Sequence, residues 1–193
     1  MTVTKTKLDG VVIIEPKVFN DNRGYFFESY SKRDMEEEGL FYDFVQDNHS
    51  FSKGSGVFRG IHCQAGDSVQ AKLVRCEVGA VIDFAVDLRK DSPTFKQWVS
   101  VELNEDNHRQ FLIPRGFGHA FFTLTDEVMF LYKADNFYDY DADRSINYAD
   151  AEIALDFDAY QSFGIDINNL ILSDKDKNAP FLEDSDVAFF VKS

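Results

Sequence analysis

The chain has 193 residues, 44% of them hydrophobic, enough for one packed domain. Its net charge of −14 excludes a nucleic acid as partner and an anionic membrane surface as docking site, since both require a basic face. No run approaches 18 apolar residues and no N-terminal stretch reads as a signal peptide, so a cytoplasmic protein is expected, with Cys63 and Cys76 as reduced thiols.

Residues 11–14 (Val-Val-Ile-Ile) predict a strand, and the polar run from Asn20 to Gly24 after Pro16 predicts a turn. Residues 25–30 read as extended. A short helix is expected after Ser31, which can cap it, with Asp34 three residues on and Gly39 as the stop. From Val57 onward the pattern is β. Lys72 to Val78 alternates, with Leu73, Arg75 and Glu77 on one face and Lys72, Val74, Cys76 and Val78 on the other. After a tight link at Gly79–Ala80, Ile82, Phe84, Val86 and Leu88 share one face, and Asp83, Ala85 and Asp87 the other. Further strands are expected at 97–102, 110–113, 119–124 and 128–134, and a short helix at Ser173–Ala179. Short strands, brief turns and 15% aromatic residues predict an all-β jelly-roll sandwich with short peripheral helices. One domain is expected over 1–193, with the jelly-roll core at about 45–135 and a polar C-terminal segment at about 145–193.

The signatures of common enzyme classes are missing. There is no glycine-rich nucleotide loop, no Walker motif and no Gly-x-Ser-x-Gly elbow. The four histidines, His49, His62, His108 and His119, include no His-x-His pair of the kind that seats a metal in a β-barrel. Cys63 directly follows His62, so the two point to opposite strand faces and do not form a nucleophile–base pair. Polar residues in apolar surroundings remain: Arg59 and His62 at the head of the β region, Lys72 at a strand start, and Tyr132 on the Val128–Phe130–Ala134 face. Singly, each reads as an ordinary surface or core residue.

Nine strings in order carry more weight together. They are Ile14-Glu15-Pro16-Lys17-Val18-Phe19, Arg23-Gly24-Tyr25-Phe26-Phe27-Glu28-Ser29 and Phe44-Val45-Gln46-Asp47-Asn48-His49-Ser50. Arg59-Gly60-Ile61-His62-Cys63-Gln64, Lys72-Leu73-Val74-Arg75 and Ser92-Pro93-Thr94-Phe95 follow. The last are Ile113-Pro114-Arg115-Gly116-Phe117-Gly118-His119-Ala120-Phe121, Phe130-Leu131-Tyr132-Lys133 and Leu172-Ser173-Asp174-Lys175-Asp176. Over roughly Val11 to Leu182 the chain resembles the dTDP-4-dehydrorhamnose 3,5-epimerase family.

That resemblance implies a cupin-like jelly roll, a homodimer, and neither metal nor redox cofactor. It implies epimerisation of a dTDP-4-keto-6-deoxysugar, dTDP-4-dehydro-6-deoxy-glucose, at C3 and C5. In matched positions, His62 is the general base, Asp176 its orienting carboxylate, Tyr132 the proton donor across the ring, and Lys72 the cation near the C4 oxygen. Arg23, Glu28, Gln46, Asn48, Arg59, His119 and Lys175 match residues lining the substrate site, and Tyr138 matches the aromatic that stacks on thymine. Asp143 stands where a Glu is common, Cys63 where an aromatic is usual and Phe137 where a Tyr is frequent, and residues 158–171 fit poorly. Relatives that invert a single carbon carry much the same set. A sugar-binding protein without catalysis and a metal-dependent cupin are the alternatives from other classes.

The chemistry accounts for the set. Removing a proton beside a ketone leaves an enolate whose charge sits on the ketone oxygen, where a cation helps most. Imidazole titrates near neutrality and suits the base. Inversion needs a second acid on the opposite face. Arg59 and His62 are three positions apart, so a regular strand would split them; a bulge at Gly60 is expected if both line one pocket.

Overall fold

The computed structural model describes residues 1–187 and 189. Its elements are β1 (Thr2–Lys5), β2 (Val12–Glu15), β3 (Phe19–Asp21), β4 (Gly24–Phe26), α1 (Lys32–Glu37), β5 (Gln46–Lys53), β6 (Phe58–Gln64), β7 (Lys72–Val78) and β8 (Ala80–Asp87). They continue with β9 (Trp98–Asn104), β10 (Gln110–Ile113), β11 (Phe117–Thr123), β12 (Glu127–Ala134), β13 (Asp143–Ser145) and α2 (Asp174–Lys177). Strands pair antiparallel into a six-stranded sheet, β1-β2-β10-β7-β12-β5, and a five-stranded sheet, β13-β6-β11-β8-β9. The jelly-roll sandwich is thus built as the alternation predicts, and with the cupin-like form that the resemblance implies.

Each sheet buries one face against the other. From the six-stranded sheet, Val74, Cys76, Phe111, Ile113, Val128 and Phe130 point inward. From the five-stranded sheet, Val81, Ala85, Val101, Leu103, Phe117 and Phe121 meet them. Phe121 and Phe130 stack across the gap with centroids 4.3 Å apart. Burial of side chains this large is the main stabilising term.

The outer face of the five-stranded sheet is covered by the C-terminal segment. Ile153, Leu155, Phe157, Ile165 and Leu182 pack on Phe58, Ile61, Phe84 and Phe122. This stretch is polar in composition, yet its few apolar residues are anchors in a second core. Asp150 ties it down, accepting from the backbone N–H of Ile153 (3.0 Å) and of Leu182 (2.7 Å). β8 is therefore buried on both faces.

The outer face of the six-stranded sheet is partly covered by α1. Met35 packs with Ile14, Leu73 and Leu112. Ser31 caps α1, its Oγ accepting from Asp34 N–H at 3.3 Å, and Gly39 with φ 79° ends it, both as expected. The β3–β4 hairpin also lies on this side, where Tyr25 and Phe27 rest on the His108 ring.

Four strands were not expected: β1, β3, β5 and β13; β3 takes Asn20 and Asp21 from the expected turn, which is confined to Asn22 and Arg23. The extended reading of 25–30 is realised only at Gly24–Phe26, because Ser29 and Tyr30 already turn the chain into α1. The expected C-terminal helix is one turn, α2, capped by Ser173, whose Oγ accepts from Asp176 N–H at 3.1 Å. No helix among the described residues is long and apolar enough to cross a membrane.

Candidate active site

At one end of the sandwich the inward residues become polar. On the six-stranded sheet, Gln46 and Asn48 of β5 stand opposite Ala134 and Tyr132 of β12, and Ala134 stands opposite Lys72 of β7. Directly opposed residues share a sheet face, so Gln46, Asn48, Tyr132 and Lys72 all point between the sheets. On the five-stranded sheet, His62 of β6 faces His119 of β11 in register. Phe121, opposite both Arg59 and Asp83, closes the apolar side together with Phe130.

His62 Nε2 lies 2.5 Å from Asp176 Oδ1. The histidine side chain is 30% exposed and the carboxylate 3%. α2 delivers this carboxylate to the sheet end, and the Ser173 cap fixes its backbone. Burial alone would push the Asp176 carboxyl up; the hydrogen bond and charge of His62, with Ser173 and Lys175, outweigh it and hold the group ionised. A carboxylate only accepts, so the neutral imidazole carries its proton on Nε2 and keeps the Nδ1 lone pair free. That is the arrangement of an oriented general base.

Lys72 sits with its Nζ 5.6 Å from the centre of the Tyr132 ring. Burial lowers the pKa of its ammonium. Burial also pushes the Tyr132 phenol up, with Asp143 adding to the effect, so the hydroxyl stays protonated at neutral pH. His119 is buried and its Nε2 is 2.8 Å from Asp83 Oδ2. Burial lowers the His119 pKa and raises that of Asp83.

The rim is a hydrogen-bonded loop. Asp143 Oδ2 accepts from Tyr138 Oη (3.2 Å) and from Lys175 Nζ, and its Oδ1 accepts from Gln64 Nε2 (3.3 Å). Gln64 Oε1 accepts from the backbone N–H of Asp139 (2.8 Å), and Gln46 Oε1 from that of Tyr138 (3.0 Å). Gln46 Nε2 donates to Asn48 Oδ1 at 2.8 Å. Tyr138 is half-exposed at the mouth, beside the exposed Phe137 and Tyr140.

Arg59 and His62 do share the pocket side, and the expected bulge is present. Three steps on β6 (62 to 59) oppose two on β11 (119 to 121). Gly60 adopts φ 144°, and a Cβ there would lie 2.3 Å from Ala120 Cβ. Arg59 Nε donates to Ser52 Oγ at 3.1 Å. Cys63 points the other way, into the second core, and burial pushes its thiol up to about 12, so it is no nucleophile.

Thus His62, Asp176, Tyr132, Lys72, His119, Arg59, Gln46, Asn48, Tyr138, Asp143 and Lys175 gather at one end. Arg23 and Glu28 do not join them within this chain. Arg23 is 85% exposed and bonds Asp21 in its own hairpin. Glu28 lines a small cavity with Met1, Lys17 and Phe19 on the outer side of the six-stranded sheet. Two residues that sequence reasoning passed over belong to the site: Gln64 and Asp83. Asp83 had a visible signal, a carboxylate sharing the Ala85 face of a strand whose other face is wholly apolar. Among the described residues no group of three or more His, Cys, Asp or Glu side chains could hold a metal ion.

The sandwich thus gathers an oriented imidazole, a protonated phenol and a buried lysine at one end, a set suited to acid–base chemistry. The family model for dTDP-4-dehydrorhamnose 3,5-epimerase matches residues 5–184. The dTDP-4-dehydrorhamnose 3,5-epimerase of Salmonella typhimurium is 50% identical over 184 residues, covering 95% of this chain and 96% of that one. The crystal structure of the enzyme of that name from Elizabethkingia anophelis superimposes with a TM-score of 0.86 at 45% identity, covering 95% of this chain and 97% of that one. A Legionella pneumophila dTDP-6-deoxy-D-glucose-3,5-epimerase, solved in complex with dTDP-4-keto-L-rhamnose, superimposes with a TM-score of 0.90 at 39% identity, over 100% of this chain and 99% of that one. The chain belongs to the dTDP-4-dehydrorhamnose 3,5-epimerase family.

Proposed function

We propose that the protein inverts C3 and C5 of dTDP-4-dehydro-6-deoxy-D-glucose to give dTDP-4-dehydro-L-rhamnose, as a step in dTDP-L-rhamnose formation. The observation that carries the mechanism is the His62–Asp176 pair in a pocket shared with Lys72 and Tyr132. His62 Nδ1 takes a proton from the carbon beside the ketone, and the C–H electron pair becomes the enolate double bond. The charge moves to the C4 oxygen, where the Lys72 ammonium stabilises it. Asp176 stabilises the imidazolium so formed. Tyr132 then gives its hydroxyl proton to the same carbon from the opposite face; the imidazolium releases its proton to solvent, the phenolate regains one, and the sequence repeats at the second carbon. The ketone is itself the electron sink in each round.

The nucleotide takes the rim. Tyr138 offers a flat face to the thymine, while Arg59 and Lys175 offer charge to the diphosphate. His119, Gln46, Asn48 and Asp143 hold sugar and loop. Arg23 and Glu28 act from a second copy. They lie on the outer side of the six-stranded sheet with exposed Phe19, Tyr25 and Phe26, beside a groove of about 360 Å³ lined by His49, Arg75 and Leu131. A homodimer formed across this face covers that apolar surface and brings one protomer's hairpin to its partner's pocket.

The test is incubation with dTDP-4-dehydro-6-deoxy-D-glucose in D2O, followed by NMR at C3 and C5. Exchange at both carbons, lost in His62→Ala, is the expected result. Exchange at one carbon only makes the protein a mono-epimerase, and exchange at neither removes the enzymatic reading.

A further inference from the structure

Asp83 is fully buried at the centre of β8, within electrostatic reach of two basic side chains. One oxygen, Oδ2, is taken by His119. Among the described residues the other, Oδ1, has no hydrogen-bond partner although it is sealed from solvent. An unpartnered buried carboxylate oxygen is costly, so its presence calls for an explanation. Asp83 points inward from the five-stranded sheet and Lys72 inward from the six-stranded sheet. The positive groups acting on Asp83 are His119 on β11 and Lys72 on β7.

We propose that Asp83 is the counter-charge of Lys72, a positioning residue that keeps the ammonium protonated and in place for the enolate oxygen. The inference rests on the epimerase reading above.

The charges around Lys72 leave Asp83 as the partner best suited to this role. Those acting on it through space are Cys63 on β6, Asp143 on β13, Asp83 on β8 and Lys175 on α2, with the Tyr132 ring on β12 beside it. Cys63 is a protonated thiol. Asp143 is already engaged by Lys175, Tyr138 and Gln64. Lys175 is a like charge. His119 meets Asp83, Lys72 and His62, and burial keeps it neutral. With His119 neutral, Asp83 and Lys72 form one negative and one positive charge with no net sum. Burial presses both toward neutrality, while each charge favours the ionised form of the other. Removing the carboxylate leaves a buried cation alone, and it gives up its proton at lower pH.

The test compares wild type with Asp83→Asn. In D2O exchange assays, Asp83→Asn is expected to lower kcat about tenfold at neutral pH with KM nearly unchanged, because the lost interaction is made with the developing enolate. The alkaline limb of kcat is expected to move down by about one pH unit or more. Carbon-13 NMR of lysine Cε, with Lys72 assigned through Lys72→Arg, reads the same shift without turnover. An unmoved limb and an unmoved Lys72 titration would overturn the proposal and leave Asp83 a structural partner of His119. If Asp83→Asn does not fold, Lys72→Met is read at the Asp83 carboxyl by carbon-13 NMR. Coupling is reciprocal, so its pKa must rise, and no change overturns the proposal. Absence of exchange in wild type defeats the epimerase reading instead, and the NMR titration still decides the pairing.

Discussion

Asp176 Oδ1 meets His62 Nε2 at 2.5 Å, although the two are 114 positions apart in the chain. Because the carboxylate has no other task in the proposed reaction, Asp176→Asn isolates its contribution. Exchange is expected to fall roughly 10²–10⁴-fold, the range for a positioned acid–base group. Thermal melting of the variant should stay close to wild type, which separates the catalytic loss from unfolding.

Tyr132→Phe should split two observables that coincide in the wild type. His62 can still remove the proton and return a solvent deuteron from the same side. Washed-in deuterium therefore persists while inverted product disappears. NMR of the recovered sugar checks this, and loss of both signals together would remove Tyr132 from the donor role.

The Asp87 carboxylate makes an acid-sensitive knot. It accepts from Arg89 Nε (2.8 Å) and Nη2 (2.7 Å), Ser92 Oγ (2.6 Å) and Thr94 Oγ1 (2.7 Å). Burial alone would push its carboxyl up, but these donors outweigh it and hold the group below its ordinary 3.8. A carboxyl depressed in the folded state contributes stability above its unfolded value and loses it as pH falls through the folded one. Asp87→Asn should destabilise by about 3 kcal/mol at neutral pH, since Arg89 is left nearly buried without its partner. Below pH 3.8 the difference from wild type should shrink, which urea titrations across pH 2–7 would show.

Gly60→Ala should cost about 3 kcal/mol or more, or abolish folding. The added carbon would lie 2.6 Å from Ala120 Cα, and φ 144° is a conformation that side chains resist. If the variant melts like wild type, the bulge is not what aligns Arg59 with His62.

Arg23→Ala and His62→Ala should each be inactive alone. Co-expressed, they should recover about a quarter of wild-type activity, because random pairing gives one intact site in half of the dimers. Recovery requires that each pocket draws its Arg23 from the partner. No recovery places Arg23 in the pocket of its own chain, or outside it.

Much of this was legible in the sequence because burial leaves a period. The β7 and β8 faces, the Ser31 cap and the inward face of β12 follow from spacing alone, and the Gly60 bulge from spacing once the resemblance put Arg59 and His62 in one pocket. β5 escaped for a physical reason. Its inward residues, Gln46, Asn48, Ser50 and Ser52, line or flank the polar pocket, while outward Val45 and Phe51 lie exposed where a second copy is proposed. A strand that is polar on its functional face and uncovered on the other shows no alternation. The C-terminal anchors are spaced irregularly, so no helix or strand period marks them. The pairings of Asp176 with His62 and of Asp83 with His119 are long-range and carry no local signal at all; for the first, only the resemblance placed both partners in one site.

The position of α2 has a consequence for synthesis. Every strand of the sandwich has been synthesised before Ser173 and Asp176 are made, and domains assemble from the N-terminus as the chain emerges. The imidazole is thus present early but unoriented. It gains its carboxylate only when the C-terminal layer has closed over Phe58 and Ile61. A chain stalled or cut ahead of residue 173 would keep its jelly roll and its histidine, yet have no oriented base. Under the proposed mechanism, catalytic competence is therefore a report that translation and closure have both finished.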